Sequence, residues 1–114
     1  MKPINLPIFP LKLVVLPGTL QGLQIFEPRY LNMVKQCMSN ASNFVISYKS
    51  DRFDDFDFGI EKVGTSVQIV DFNNLPNGLL GITVKAESKV SLNNIIQLED
   101  ESYLGEVLPL TEPE

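Results

Sequence analysis

Leu6-Pro7-Ile8-Phe9-Pro10-Leu11, then Leu16-Pro17-Gly18, then Ile25-Phe26-Glu27-Pro28-Arg29-Tyr30 set the plan of the chain. In that order they spell an apolar strand punctuated by proline, a tight turn, a second strand, and a helix that opens on a proline. Pro28 suits the first helical turn, where an N–H would have had no partner and where the ring already holds a helical φ. Glu27 puts a negative charge at the positive end of the helix dipole. From there Tyr30, Leu31, Val34, Cys37 and Met38 recur at three- and four-residue spacing and build one apolar face. The spacing predicts a helix over Pro28 to Ser39, with Asn40 as the left-handed stop.

Beyond the helix the period changes from helical to alternating. Phe44 to Tyr48 reads as a strand, and so does Thr65 to Asp71, with Val67 and Ile69 on one face and Ser66 and Gln68 on the other. Asn73-Asn74-Leu75-Pro76-Asn77-Gly78 is a turn, because Asn and Gly tolerate positive φ and Asn-Gly is a favoured hairpin pair. Leu79 to Lys85 is the return strand. Ser91 to Leu98 and Tyr103 to Leu108 are two more, separated by the acidic turn Glu99 to Ser102. About six short strands and one helix imply a largely antiparallel α+β domain whose sheet curls or partly closes to hide its edges.

With 114 residues and 44% apolar content, residues 1–114 are expected to form one domain around a single core. No apolar run approaches the roughly 20 residues of a membrane span, and Met1-Lys2 leads into a strand rather than a signal-peptide core. The expected setting is therefore cytoplasmic. Cys37 cannot pair within the chain and falls on the apolar helix face, where it reads as a small buried hydrophobe. The net charge of −5 and the scattered basic residues count against nucleic acid, whose binding needs clustered Lys and Arg. With no histidine in the chain, Ser-His and Cys-His catalysis and ordinary zinc sites are missing their key ligand. Asp54, Asp55 and Asp57 do not follow calcium-loop spacing. No catalytic, cofactor or metal site is expected.

The collinear set of motifs resembles the substrate-binding amino-terminal domain of the Lon protease family. It comprises the proline-punctuated start, Gly64-Thr65 with the strand through Ile69, Leu75-Pro76-Asn77-Gly78, and Tyr103-Leu104 with Glu106-Val107. Leu79-Leu80 stands where members commonly carry a basic residue, and Ala86 to Val90 departs from a usual glycine and arginine-aromatic pair. The resemblance implies a PUA-like pseudo-barrel, the β-rich lobe of that domain. It also implies recognition of unfolded or damaged proteins for ATP-dependent proteolysis, with the ATPase and protease activities in other domains. No phosphate-binding G-x-x-x-x-G-K-[ST] loop occurs here. A stand-alone family member and a piece of a longer chain both fit.

Two stretches are candidate protein-binding surfaces. One is Leu16, Pro17 and Leu20 with Leu23, because both faces of the strand from Thr19 to Phe26 carry apolar groups and one set needs a partner outside the sheet. That partner is either the helix or another strand, or an apolar client. The other is Asp51 to Phe58, read either as an edge strand or loop with Phe56 and Phe58 facing in, or as a flap presenting Phe53 beside a groove. Glu27, Pro28, Arg29 and Tyr30 are expected to be a structural corner, an ion pair or cap between strand and helix. Rival functions are self-association through the same apolar surface and, as PUA-like folds also serve RNA-modifying proteins, RNA binding.

Overall fold

The computed structural model describes residues 4–50 and 57–110. Six strands and one helix run in the order β1 (Ile4–Leu11), β2 (Leu20–Ile25), α1 (Pro28–Asn40), β3 (Phe44–Lys49), β4 (Ile60–Asn74), β5 (Leu80–Gln97) and β6 (Tyr103–Pro109). The sheet order is β2-β5-β4-β3-β1-β6, and β5 pairs with β6 as well. The extra pairing closes β5, β4, β3, β1 and β6 into a barrel, with β2 attached outside it along the first half of β5. Among the described residues only β1 and β3 run parallel. The expected curled, mainly antiparallel α+β fold is the one observed.

Proline is placed in β1 without cost to the ladder. The first part of the strand pairs with β6 and the last part with β3, the two overlapping only at Ile8. Pro7 and Pro10 therefore each have one open side to which the missing N–H can turn. Phe44 to Ser47 of β3 are buried on both faces because the strand walls two cores at once. Phe44 and Ile46 point toward one that also holds Phe9, Ile25, Val67, Ile82, Val84 and the helix residues Tyr30, Met33, Val34 and Cys37. Val45 points the other way, into the barrel interior with Ile8, Leu92, Ile95, Tyr103 and Val107. The apolar run Phe44-Val45-Ile46 is the sequence trace of this double duty.

The expected strands over Leu79 to Lys85 and Ser91 to Leu98 are one strand, β5, bent where the register with β4 slips around Glu87. Ala86 and Val90 are buried while Glu87, Ser88 and Lys89 face solvent. The bulge lets a single strand serve β2 before the bend and β6 after it. β4 is likewise longer than its alternating segment. The hairpin between β4 and β5 closes at Pro76–Gly78, with Gly78 at positive φ.

The helix begins at Pro28, as its spacing predicts, and ends one residue beyond Ser39. The left-handed residue is Ala41, at φ 51°, rather than Asn40, and its N–H donates to the Cys37 carbonyl. An L-residue other than Asn or Gly is disfavoured in that region. Ala41→Gly is therefore expected to raise stability by about 0.5–1 kcal/mol, read as an increase in urea midpoint. A decrease would mean that the Ala41 methyl is held by packing worth more than the strain.

Candidate functional site

The turn Leu16 to Thr19 is fixed by hydrogen bonds within itself and to β5. Gly18 lies at φ 88°, the position after proline at which a tight turn requires positive φ. The Thr19 hydroxyl donates to the Leu16 carbonyl at 2.6 Å. The Gly18 N–H donates to the Ala86 carbonyl at 2.8 Å and the Ala86 N–H to the Thr19 carbonyl at 2.9 Å. Just before the turn Val15 is buried, and its carbonyl accepts from the buried Thr65 hydroxyl at 2.8 Å. Anchoring Val15 inward throws its neighbours outward, leaving Val14 71% and Leu16 60% exposed. With Leu13, Tyr48, Val63 and Lys89 these line a shallow groove of about 170 Å³.

Leu20, which does not line this groove, is 66% exposed. It stands opposite Lys85 on the outer face of the β2–β5 pair, whose other members there are Gly22, Gln24, Thr83 and Gly81. Leu23, on the opposite face, is half-buried against the core. Pro17 is exposed at the tip of the turn. Leu16, Pro17 and Leu20 are thus all exposed, while Leu23 packs against the core.

Phe58 is not among the residues that line this groove. It sits in a short helical turn at φ 62°, 46% exposed, with its ring 5.2 Å from that of Tyr103. The inward-facing strand expected over Phe56 and Phe58 is not what Phe58 adopts, because a left-handed residue interrupts the alternation. Phe53 and Phe56 lie outside the described residues.

At the corner, the first helical N–H groups are satisfied by the Glu27 carbonyl, which accepts from Tyr30 at 3.0 Å and Leu31 at 2.9 Å. The Glu27 side chain makes no cap bond; it stands 3.6 Å from the Arg29 guanidinium as an ion pair. Arg29 donates to the Glu101 carbonyl at 2.9 Å and lies 4.8 Å from the Tyr30 ring centre and 5.7 Å from that of Tyr103. One side chain so ties the start of α1 to the turn before β6. The pair is partly exposed, so the carbonyl bond and ring contacts contribute more than the charge attraction.

Burial pushes the Tyr30 phenol up to about 12, with Arg29 offsetting part of the rise. As pH rises above 10 the unfolded chain gives up this proton first, so stability is expected to fall between pH 10 and 12. Tyr30→Phe should flatten that decline; urea midpoints on either side of the window test it, and an equal decline in the variant would place the titration elsewhere. Burial also raises the Cys37 thiol, against the opposing effect of Ser42. A raised thiol is a poor nucleophile. Among the described residues no three His, Cys, Asp or Glu side chains converge on a metal-sized site, and no helix is long and apolar enough to cross a membrane.

Residues 5–114 match the family described as the ATP-dependent protease La (LON) substrate-binding domain. The chain belongs to this family. A Lon protease from Fusobacterium nucleatum is 24% identical over 102 residues, covering 86% of this chain but 13% of its own length. The crystal structure of a Lon N-terminal domain protein from Xanthomonas campestris superposes with a TM-score of 0.82 at 30% identity, over 95% of this chain and 60% of that one. The N-terminal domain of a Mycobacterium avium complex Lon protease superposes at 0.72, covering 97% and 57%, with 16% identity, a likeness of fold. The chain thus spans a small part of the Lon protease it matches and somewhat over half of the solved N-terminal domains. Its match is to the substrate-binding domain, not to a protease or ATPase domain.

Three members of the groove in this LON-family chain, Val14, Tyr48 and Val63, escape a reading by alternation. Tyr48 is exposed beside the β3–β4 register slip between Ser47 and Lys49. The available signal was Leu13-Val14-Val15-Leu16, apolar at both parities, which no strand with one buried face requires. Chemically the groove offers apolar side chains together with the Tyr48 hydroxyl and the Lys89 amine.

Proposed function

We propose that this chain is a non-enzymatic, cytoplasmic client-binding module, residues 1–114 acting as one domain that engages exposed apolar segments of unfolded or damaged proteins destined for ATP-dependent proteolysis. The observation that carries the reading is the exposure of Val14, Leu16 and Leu20 around a turn bonded to β5 on both sides. Apolar groups held outward by a rigid frame suit partners whose common property is displaced apolar surface. The groove is far smaller than a standard interface, so single-site affinity should be micromolar or poorer.

The test is a titration of labelled, reduced and alkylated lysozyme against native lysozyme. Saturable binding of the unfolded form alone is expected, weakened at least about tenfold in a Leu16→Asp, Leu20→Asp variant that melts like the parent. A well-folded parent that binds neither form refutes the proposal. The same exposure favours self-association as a second reading, which sedimentation at rising concentration distinguishes.

A further inference from the structure

A strand that ends a sheet leaves a row of main-chain donors and acceptors unpaired, and proteins ordinarily guard such rows with charge, proline or a bulge. The open edges of this fold differ sharply in that respect. The open sides of β1 carry Pro7 and Pro10. Past Val67, β4 has no partner on its β3 side; there the register with β5 slips around Val70, and the Asp71 carboxylate accepts from the Phe72 N–H at 2.9 Å. β2 has none of these devices. Its sequence, Leu20-Gln21-Gly22-Leu23-Gln24-Ile25, contains no charge and no proline. Each of its residues pairs with β5 from Lys85 to Leu80 without a slip, and among the described residues β5 is its only ladder partner.

The alternation of the ladder shows which groups are open. Ala86 bonds toward the turn at Gly18 and Thr19. Counting back along β5, Val84, Ile82 and Leu80 also bond toward β2, so Gln21, Leu23 and Ile25 are engaged while Leu20, Gly22 and Gln24 turn their N–H and C=O groups outward. The Gly22 carbonyl accepts at 3.0 Å from the neighbouring Gln21 side-chain amide, as an outward acceptor can. Beyond the end of β2, Phe26 is 68% exposed and borders a pocket of about 300 Å³ whose lining mixes Phe9, Leu11, Ile25 and Tyr30 with the charged Glu27, Arg29 and Lys49. At the other end stand Leu20 and the Leu16 turn.

We infer that β2 accepts an extended segment of a client polypeptide as an added strand, with main-chain bonds to Leu20, Gly22 and Gln24 and apolar contacts at both ends. The inference rests on the client-binding reading above and specifies how that binding occurs. Only an extended backbone can satisfy donors and acceptors in this repeat, and recognition through them is indifferent to client sequence. An uncharged edge excludes neither acidic nor basic segments. A second copy of the chain is the weaker occupant, since each copy carries a net charge of −5 and the pair would repel.

The probe is a labelled peptide of alternating Val and Thr, about ten residues long to cover the six of β2, with Lys at each end, and the same peptide N-methylated at its central residues. Reduced and alkylated lysozyme is titrated in parallel. The protein variant is Gly22→Pro: the lost N–H faces outward, so no bond to β5 is removed, and space at Gly22 is open. The expected result is saturable binding of the plain peptide, weakened at least about tenfold by N-methylation and equally by Gly22→Pro at near-parental melting temperature. Equal binding of the two peptides, or parental binding by a folded Gly22→Pro variant, overturns strand addition; the client reading survives if unfolded lysozyme still binds. Failure of the parent to bind either probe removes both. A parent dimer that Gly22→Pro dissociates without changing peptide affinity overturns the inference in favour of a second copy. If Gly22→Pro does not fold, the peptide pair decides alone.

Discussion

Phe44→Ala is expected to cost about 3–5 kcal/mol of folding stability, a large share of the roughly 5–15 kcal/mol that holds a domain of this kind together. Phe44 is fully buried at the first position of β3. Its ring lies 6.3 Å from that of Phe9, which in turn stacks against Tyr30 at 4.4 Å. Truncation therefore empties the place where β1, β3 and α1 meet, and paired strands cannot collapse into the gap without giving up ladder bonds. Denaturant unfolding measures the loss. A cost below about 1 kcal/mol would mean that helix and sheet do not share this core.

Gly64→Ala should be nearly as damaging although it adds a single methyl. A Cβ there would stand 2.6 Å from Val45 Cγ1 and 2.9 Å from the Ile46 carbonyl oxygen. The valine methyl is confined in the barrel interior, and the carbonyl belongs to the neighbouring strand, so relief requires β3 and β4 to separate. Overpacking of this kind costs about 1–3 kcal/mol, and a backbone neighbour places it at the upper end. The melting temperature should fall by about 10 °C. Gly22→Ala is the control: nothing lies within 4 Å of its added methyl, and its melting temperature should remain near the parent's. Equal behaviour of the two variants would contradict the close approach of β3 and β4.

Features written in neighbouring residues are legible in the sequence. Pro28 and the spacing from Tyr30 to Met38 locate the helix and its apolar face, although Met33, also buried, falls between the positions counted. Pro17-Gly18 and Asn77-Gly78 mark turns because they answer to φ, a local quantity. The corner at Glu27 and Arg29 is legible as an ion pair, but its tie to Glu101 is not, since 72 positions separate donor and acceptor. The candidate surface divides the same way. Alternation along β2 says that one apolar set needs a partner outside the sheet, but not which set. The core takes Leu23 and Ile25, leaving Leu20 and Phe26 in solvent.

By itself, then, the sequence determined the elements, their order, the mainly antiparallel class and the family likeness, because periodicity, proline and glycine act over a few residues. Tertiary structure alone decided that β5 is one bent strand, that β6 closes the barrel against it, that Val14 and Tyr48 face outward, and that β2 is left as an unguarded edge. Each of these depends on which distant strand supplies the partner and which face then meets the core. Such choices rest on the summed burial of many residues far apart in the chain, and no short window of sequence contains that sum.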